Sequence, residues 1–441
     1  MNRIGDLRLA GAAVVVAALV AAGAARAEQK TLTRTEDPVV IKASQLADMK
    51  DADIANLALA AVAGDALKPI PFQVDERAKD GKFVYDKGPK ADPSKGDKKY
   101  NGEDELVFMA WDTGDKAKPD AKPPCEAKRA AEIEVSDAKG GKAWVYLFEC
   151  AANPPRSDKD YVRHEEEADR DWVRTDRYAF SEKRGTSFFD RLCLRGDDGK
   201  VGPNMVDRIK GRSHMELKVI GSNIDVPESG LKGSLQAWID GPVRVVHLMT
   251  AYIELAVIKV NLGGQAENLF YSNYFVTPIQ FNTPINLGSV LSKFTMRYAI
   301  DWRKEFEGTK YYDAVNTKGV VLDGKMDEDE KKLDYNTQHD WYALAGPHGN
   351  FVVHTTMQEE LRKIFKPKLY YMDDLTALDP PEDDPGQRCP GFLLDATGDI
   401  PAGKYNYNLY YMVPDKAPPA SVPAMLDIVD NPLKAGGKKW P

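Results

Sequence analysis

The chain has 441 residues and carries 68 Asp and Glu against 60 Lys and Arg, for a formal net charge of −8 at pH 7. An acidic balance of this kind disfavours contact with nucleic-acid phosphates or anionic lipid headgroups. The length allows two or three domains, each with its own hydrophobic core.

Residues 1–27 read as an export signal. Met1 to Arg8 supply a short basic segment, Leu9 to Ala25 an apolar one, and Ala25-Arg26-Ala27 a small-x-small cleavage site. Cleavage there starts the mature chain at Glu28 and makes it more acidic, because Arg3, Arg8 and Arg26 leave with a single acid, Asp6. The expected location is periplasmic or extracellular, where thiols oxidise.

From residue 28 onward, 34 Gly and 28 Pro divide the chain into short segments in which apolar residues alternate more often than they recur at helical spacing. The expected fold class is mainly β, an antiparallel β-sandwich architecture in two unequal domains with few short helices. An N-terminal β domain is expected over 28–152, with strands at Pro38–Lys42, Ile70–Val74, Glu105–Trp111 and Lys142–Phe148. Ala55 to Val62 runs into Gly64-Asp65 and reads as the first arm of a hairpin, while the Lys-rich stretch from Asp80 to Gly102 reads as a solvated insertion between strands. Four cysteines, an even count in an exported chain, favour two disulfides. Strands at 131–135 and 143–149 joined by a turn at 138–141 would bring Cys125 to Cys150, which leaves Cys193 for Cys389 by elimination.

Asn153-Pro-Pro-Arg and the acidic run Glu165 to Asp169 mark an expected linker over 153–172. The remainder, 173–441, is expected to be a larger C-terminal β-sandwich. Its longest apolar run, Val245 to Val260, is broken by His247, Glu254 and Lys259 and falls short of the ~20 residues a membrane span needs. A short helix is expected from Met357 to Phe365, with Thr356 and Glu359 at capping-box spacing and Pro367 as its stop. Near the C-terminus, Tyr405, Tyr407, Leu409, Tyr411 and Val413 share one face of a strand, and Asn406, Asn408 and Tyr410 take the other. No fixed period recurs, which disfavours a propeller or solenoid.

Ile70-Pro-Phe-Gln-Val-Asp-Glu76, followed by Asp104-Glu-Leu-Val-Phe108, resembles the opening of a group of secreted bacterial β-sandwich proteins found among polysaccharide-degrading proteins. Asp240-Gly-Pro-Val-Arg-Val-Val246 also looks like a recurring strand of lyase-type and mutarotase-like sandwiches. The resemblance implies a fold rather than an activity, since neither stretch carries a catalytic residue to transfer.

Asp75, Glu76, Asp80, Asp104 and Glu105 have the oxygen-rich chemistry of a structural Ca²⁺ site, the only cofactor the sequence suggests; the alternative is strand-end acids paired with nearby lysines. The acidic cluster Asp323 to Glu330 lacks calcium-loop order and reads as a solvated turn. Among six histidines, His339, His348 and His354 fall close together, and His339, Tyr342 and His348 are the candidate catalytic residues, a base beside an aromatic platform. Against that, adjacent His339 and Asp340 would point to opposite faces of a strand. Esterase, zinc-protease and phosphate-loop motifs are absent. The 19 tyrosines, with Trp, suit stacking against sugars, although sheets also use aromatics as core. The leading expectation is a secreted, non-catalytic binding or interaction protein with glycan, or else an envelope protein, as partner and no nucleic acid. A polysaccharide lyase or related carbohydrate-active enzyme is the alternative, and a structural component of an envelope assembly the third class.

Overall fold

The structure is a computed structural model that describes residues 28–186, 188–218, 223–255, 258–283, 285–396 and 400–441; the expected export signal lies outside the described residues. The chain is mainly β, as its alternating pattern predicts, and its sheets are antiparallel. The largest sheet has nine strands in the order Leu231–Asp240, Arg244–Leu255, Ile258–Tyr271, Tyr274–Thr283, Gly403–Met412, Gly349–Met357, Trp341–Gly346, Thr309–Asp313 and Val320–Leu322. A five-stranded sheet, Asn223–Val226, Val206–Leu217, Leu291–Trp302, Gly391–Ala396 and Lys366–Tyr370, contributes to the same core. Tyr405, Tyr407, Leu409 and Tyr411 bury one face of their strand in that core beside Tyr298, Ile300, Phe392 and Leu394 of the five-stranded sheet. Period-two alternation makes such a face, and each large side chain buried on it contributes about 1.5–3 kcal/mol.

The N-terminal part holds two further sheets of three or more strands. Lys434–Lys439, Ala127–Ser136, Lys142–Cys150, Leu57–Ala63 and Ala66–Pro69 form one, and Pro38–Lys42, Glu105–Met109 and Gln73–Asp75 the other. The hairpin expected from Ala55 to Val62 is the pairing of Leu57–Ala63 with Ala66–Pro69. Because Lys434–Lys439 pairs with Ala127–Ser136, the end of the chain returns to this part, which a C-terminal domain running to 441 does not anticipate.

Three expectations change. Much of the stretch expected as linker is strand: Arg163–Glu166 and Arg170–Arg174 pair as a hairpin and continue into Tyr178–Lys183, Phe189–Arg195 and Val201–Asn204. Its acidic run tolerates this because Glu165 is neutralised by Arg163 and Arg174 from the same hairpin. The Lys-rich insertion is docked rather than solvated. Phe83 and Tyr85, spaced two apart, pack against Ala237, Val246 and Leu248, and Lys87 exchanges both backbone hydrogen bonds with Trp238 at 3.2 and 2.9 Å. The short helix spans Glu359–Ile364 and starts from Gln358, because Met357 is still the last residue of its strand, opposite Tyr407.

Cys125 and Cys150 are disulfide-bonded, their Cα atoms 5.8 Å apart where Ala127 and Cys150 are register partners. The expected second bridge is overturned, since Cys193 and Cys389 are both buried and unbonded. Cys193 packs with Trp172, Ala179 and Val201, whereas Cys389 lies beside the buried ion cluster of Lys210, so elimination paired residues that occupy different surroundings. Closing a loop with a sequence separation of 25 removes unfolded-state freedom. Cys125→Ser is therefore expected to lower stability by about 2–4 kcal/mol in urea denaturation. Thiol titration of the unfolded, unreduced protein should count two sulfhydryls; a count of four would remove the bridge.

Candidate functional site

The acids of the calcium reading have other partners. Asp75 and Glu105 converge on Arg244, whose Nε lies 2.6 Å from Asp75 Oδ2 and whose Nη2 lies 2.5 Å from Glu105 Oε2. Gln73 joins them: its Nε2 donates to Asp75, and its Oε1 accepts the backbone N–H groups of Val243 and Arg244 at 3.0 and 2.8 Å. Asp104 accepts from the backbone of Arg77 and Asn101, and Glu76 from that of Asp97 and Lys98. A guanidinium therefore stands where the calcium reading needs an ion, and the cluster does the work of an interlock. The three stretches that carry the family resemblance meet at this point, and Gly241 is required there because a Cβ would come within 2.3 Å of Gln73.

None of the candidate catalytic residues lines either cavity described below. His339 is buried with Nδ1 3.3 Å from the Thr337 carbonyl and Nε2 4.0 Å from Asp313, and Tyr342 is buried against Phe392. His348 is exposed in the turn between Trp341–Gly346 and Gly349–Met357. His354 is 3.2 Å from Asp430. The aromatic clusters at 270–275 and 405–411 are core, and no described Tyr, Trp or Phe is exposed outright. Glu330 of the acidic turn is buried with its carboxylate accepting from Tyr371.

The chemistry gathers where the linker was expected. Glu166, Asp171 and Glu182 are consecutive register partners across three strands, so their side chains share one face. Trp238, His247 and Asn268 form the equivalent row across three strands of the nine-stranded sheet. The two rows face each other. Asn268 Nδ2 lies 3.4 Å from Glu182 Oε1, and His247 Nδ1 lies 3.6 Å from Glu182 Oε2. His247 Nε2 is 3.0 Å from Nδ1 of His164, whose own Nε2 is 3.7 Å from Asp171 Oδ1. The His164 ring is stacked on Trp238 with centroids 4.4 Å apart.

Above this cluster sits a cavity of about 230 Å³. Asp171, Glu182, Arg184 and Ser234 supply its polar wall, and Trp238, Leu235 and Met249 its apolar wall. Pro89, from the docked insertion, contributes to the rim.

Burial, with the charge of Asp171 next in weight, pushes the Glu182 carboxyl up to about 8, so it is protonated at neutral pH. Burial likewise pushes His164 and His247 down to about 4, leaving two neutral imidazoles. Asp171 is held by the Arg184 guanidinium at 3.2 Å. Glu182 Oε2, His247 Nδ1, His164 Nε2 and Asn268 Oδ1 are buried without a hydrogen-bond partner. Unpartnered buried polar atoms cost about 1–3 kcal/mol each, and four together mark a place where folding stability has been sacrificed.

A larger cavity, about 620 Å³, opens beside Arg212, Arg297 and Tyr370. Its arginines are already neutralised by Glu228, Asp379 and Glu382, and none of its lining polar atoms is buried without a partner. The smaller cavity is therefore the candidate site. Among the described residues no group of three or more His, Cys, Asp or Glu is arranged to hold a metal ion. None of His164, Glu182 or His247 stands out along the chain as a catalytic motif. The one signal was His247, a polar interruption of an apolar strand at a position where alternation points it inward.

No family model and no curated protein matches the chain. Among solved structures it is similar to an α-mannosidase from Enterococcus faecalis V583, with a TM-score of 0.45 and 8% identity over 94% of this chain and 46% of the mannosidase. The chain spans about half the length of that protein.

Proposed function

We propose that the protein is an exported binding protein whose ligand is a carbohydrate unit held in the cavity between Glu182 and Trp238. The cavity carries this reading. An apolar wall opposite convergent carboxyl, guanidinium and hydroxyl groups matches a sugar, which has apolar C–H faces and a rim of hydroxyls. Its volume, about 230 Å³, is below the range of drug-sized pockets and suits one small ring. The signal-like residues 1–27 and the Cys125–Cys150 bridge support a location outside the cytosol.

A second reading, a carbohydrate-active enzyme, is favoured by one observation: a carboxyl with its pKa near 8 is poised for acid–base work at neutral pH. Both readings use the same cavity.

Screening the mature protein on a glycan array and following hits by calorimetry tests the binding. At least one carbohydrate should bind, and Ser234→Trp, which fills the cavity from a half-buried position, should weaken it at least about tenfold, or about 1.4 kcal/mol. No binding across the array, or binding indifferent to Ser234→Trp, overturns the assignment.

A further inference from the structure

The cavity holds more acid than base. Glu166, Asp171 and Glu182 line it from three neighbouring strands. Among the described residues the guanidinium of Arg184 is the one Lys or Arg group paired with any of them, at 3.7 Å from Glu166 and 3.2 Å from Asp171. Lys183, which also lines the cavity, follows Glu182 along the strand and so sends its side chain to the opposite face. Glu182 is left without a cation. It is 6% exposed, and its Oε2 has no hydrogen-bond partner, with His247 Nδ1 out of bonding reach at 3.6 Å. Beside it the buried Asn268 Oδ1 is a second acceptor with no donor. An anionic ligand would meet a guanidinium already neutralised and a surplus of carboxyls. A ligand with a positive charge and N–H donors supplies what this wall lacks.

We propose that the cavity takes an amino sugar, a ring bearing a free ammonium group, and that the ammonium seats against Glu182. The proposal rests on the cavity being a carbohydrate site and names the class of sugar that fits it. An ammonium brings three N–H donors and the missing charge, and the ring's hydroxyls are left for Asp171, Arg184 and Ser234. The aromatic face of Trp238 in the same wall also favours a cation. A hydroxyl or an N-acetyl group in the ammonium's place carries no charge and forgoes both gains. Seating the cation changes the protonation of Glu182. In the protein alone burial keeps this carboxyl protonated up to about 8, whereas an adjacent ammonium favours the ionised form, so the sugar binds as Glu182 releases its proton. The groups that face Glu182 from other strands do not take that proton up: His164 and His247 are held down to about 4, Asp171 is paired with Arg184, Asp190 with Arg170, and Asp240 with Lys87.

The test is calorimetry on the full mature protein at pH 6, in phosphate and in Bis-Tris, two buffers of different ionisation enthalpy. Glucosamine, galactosamine and mannosamine are each compared with the N-acetyl derivative and with the parent hexose. At least one amine should bind at least about tenfold tighter than both of its neutral counterparts. The buffer dependence of its binding heat should report about one proton released, since at pH 6 both Glu182 and the amine begin protonated. The near-isosteric Glu182→Gln should erase the preference and the proton release together. Neutral sugars that bind as well as every amine, an amine preference with no proton released, or a preference that survives Glu182→Gln overturns the assignment and leaves the carbohydrate site standing. Cyclohexylamine, a ring cation without hydroxyls, should bind at least about tenfold more weakly than the amino sugar; equal affinity overturns the assignment as well. Failure of every sugar to bind overturns both readings.

Discussion

Arg244→Met is expected to lower the unfolding free energy by about 3–5 kcal/mol. Arg244 is 2% exposed, and its guanidinium is the shared partner of Asp75 and Glu105, with Nη1 also donating to Tyr271 at 3.2 Å. Burial alone raises both carboxyls. For Glu105 the charges of Arg244 and Arg77 outweigh burial and hold it below the usual range, while for Asp75 burial prevails even with the arginine present. Methionine fills much of the volume but leaves Asp75 without its counter-charge and Glu105 with Arg77 alone, in a dry interior where removing one member of an ion cluster costs far more than the cluster contributes as a whole. The loss should also be shared between distant parts of the chain, because Gln73, Asp75 and Glu105 lie in the N-terminal three-stranded sheet and Arg244 in the nine-stranded one. Urea denaturation supplies the measurement. Adding Asp75→Asn to Arg244→Met should recover part of the loss, since it removes the stranded charge. A loss below about 1 kcal/mol for the single change would show that water reaches the carboxyls and that the interlock is not dry.

The second large effect is a stability contribution that peaks near pH 6.5. His164 and His247 titrate at about 4 in the fold against 6.5 for an ordinary histidine. As pH falls from 6.5 towards 4, the unfolded chain takes up two protons that the fold refuses, and stability drops. Glu182 acts in the opposite sense. It titrates at about 8 in the fold against 4.5 ordinarily, so its contribution is complete below 4.5 and is lost as pH rises towards 8. Between 4.5 and 6.5 two histidines oppose one carboxyl, leaving a net rise of about 1.4 kcal/mol per pH unit; between 6.5 and 8 the carboxyl acts alone and stability falls at about the same rate. Differences from wild type isolate these limbs from the rest of the titrating surface. Glu182→Gln should abolish the fall above 6.5, and His247→Gln should flatten the rise below it. Parallel wild-type and variant curves would show that the cluster is hydrated and its groups titrate normally.

Both effects arise from contacts between residues far apart in the chain, which is why neither was visible as a motif. The stretches at 70–76, 104–108 and 240–246 were recognisable by resemblance, but their acids look the same whether they face a cation, water or an arginine. Only the register that brings Arg244 under Gln73 distinguishes these. The acidic run at 165–169 similarly reads as linker because alternation within four residues is too short to reveal a strand, and its neutralising partner Arg174 lies across a hairpin turn. The histidines at 339, 348 and 354 were drawn together by sequence proximity, yet they end in the core, in a turn and against a helix, because they belong to three local elements: the segment before Trp341–Gly346, the turn after it, and Gly349–Met357.

What the amino-acid order determined unaided is whatever depends on residues close along the chain: the alternation that makes the protein mainly β, the buried face of Tyr405 to Tyr411, the hairpin after Leu57, and the Cys125–Cys150 bridge across one turn. The tertiary structure alone decided the partners of Cys193, Cys389 and Arg244, the docking of the Lys-rich insertion, and the meeting of Glu182 with His247 and His164. Period-two patterning states which face of a strand is buried, but two sheets packed face to face choose their opposing residues by stacking and register, and that choice leaves no local trace.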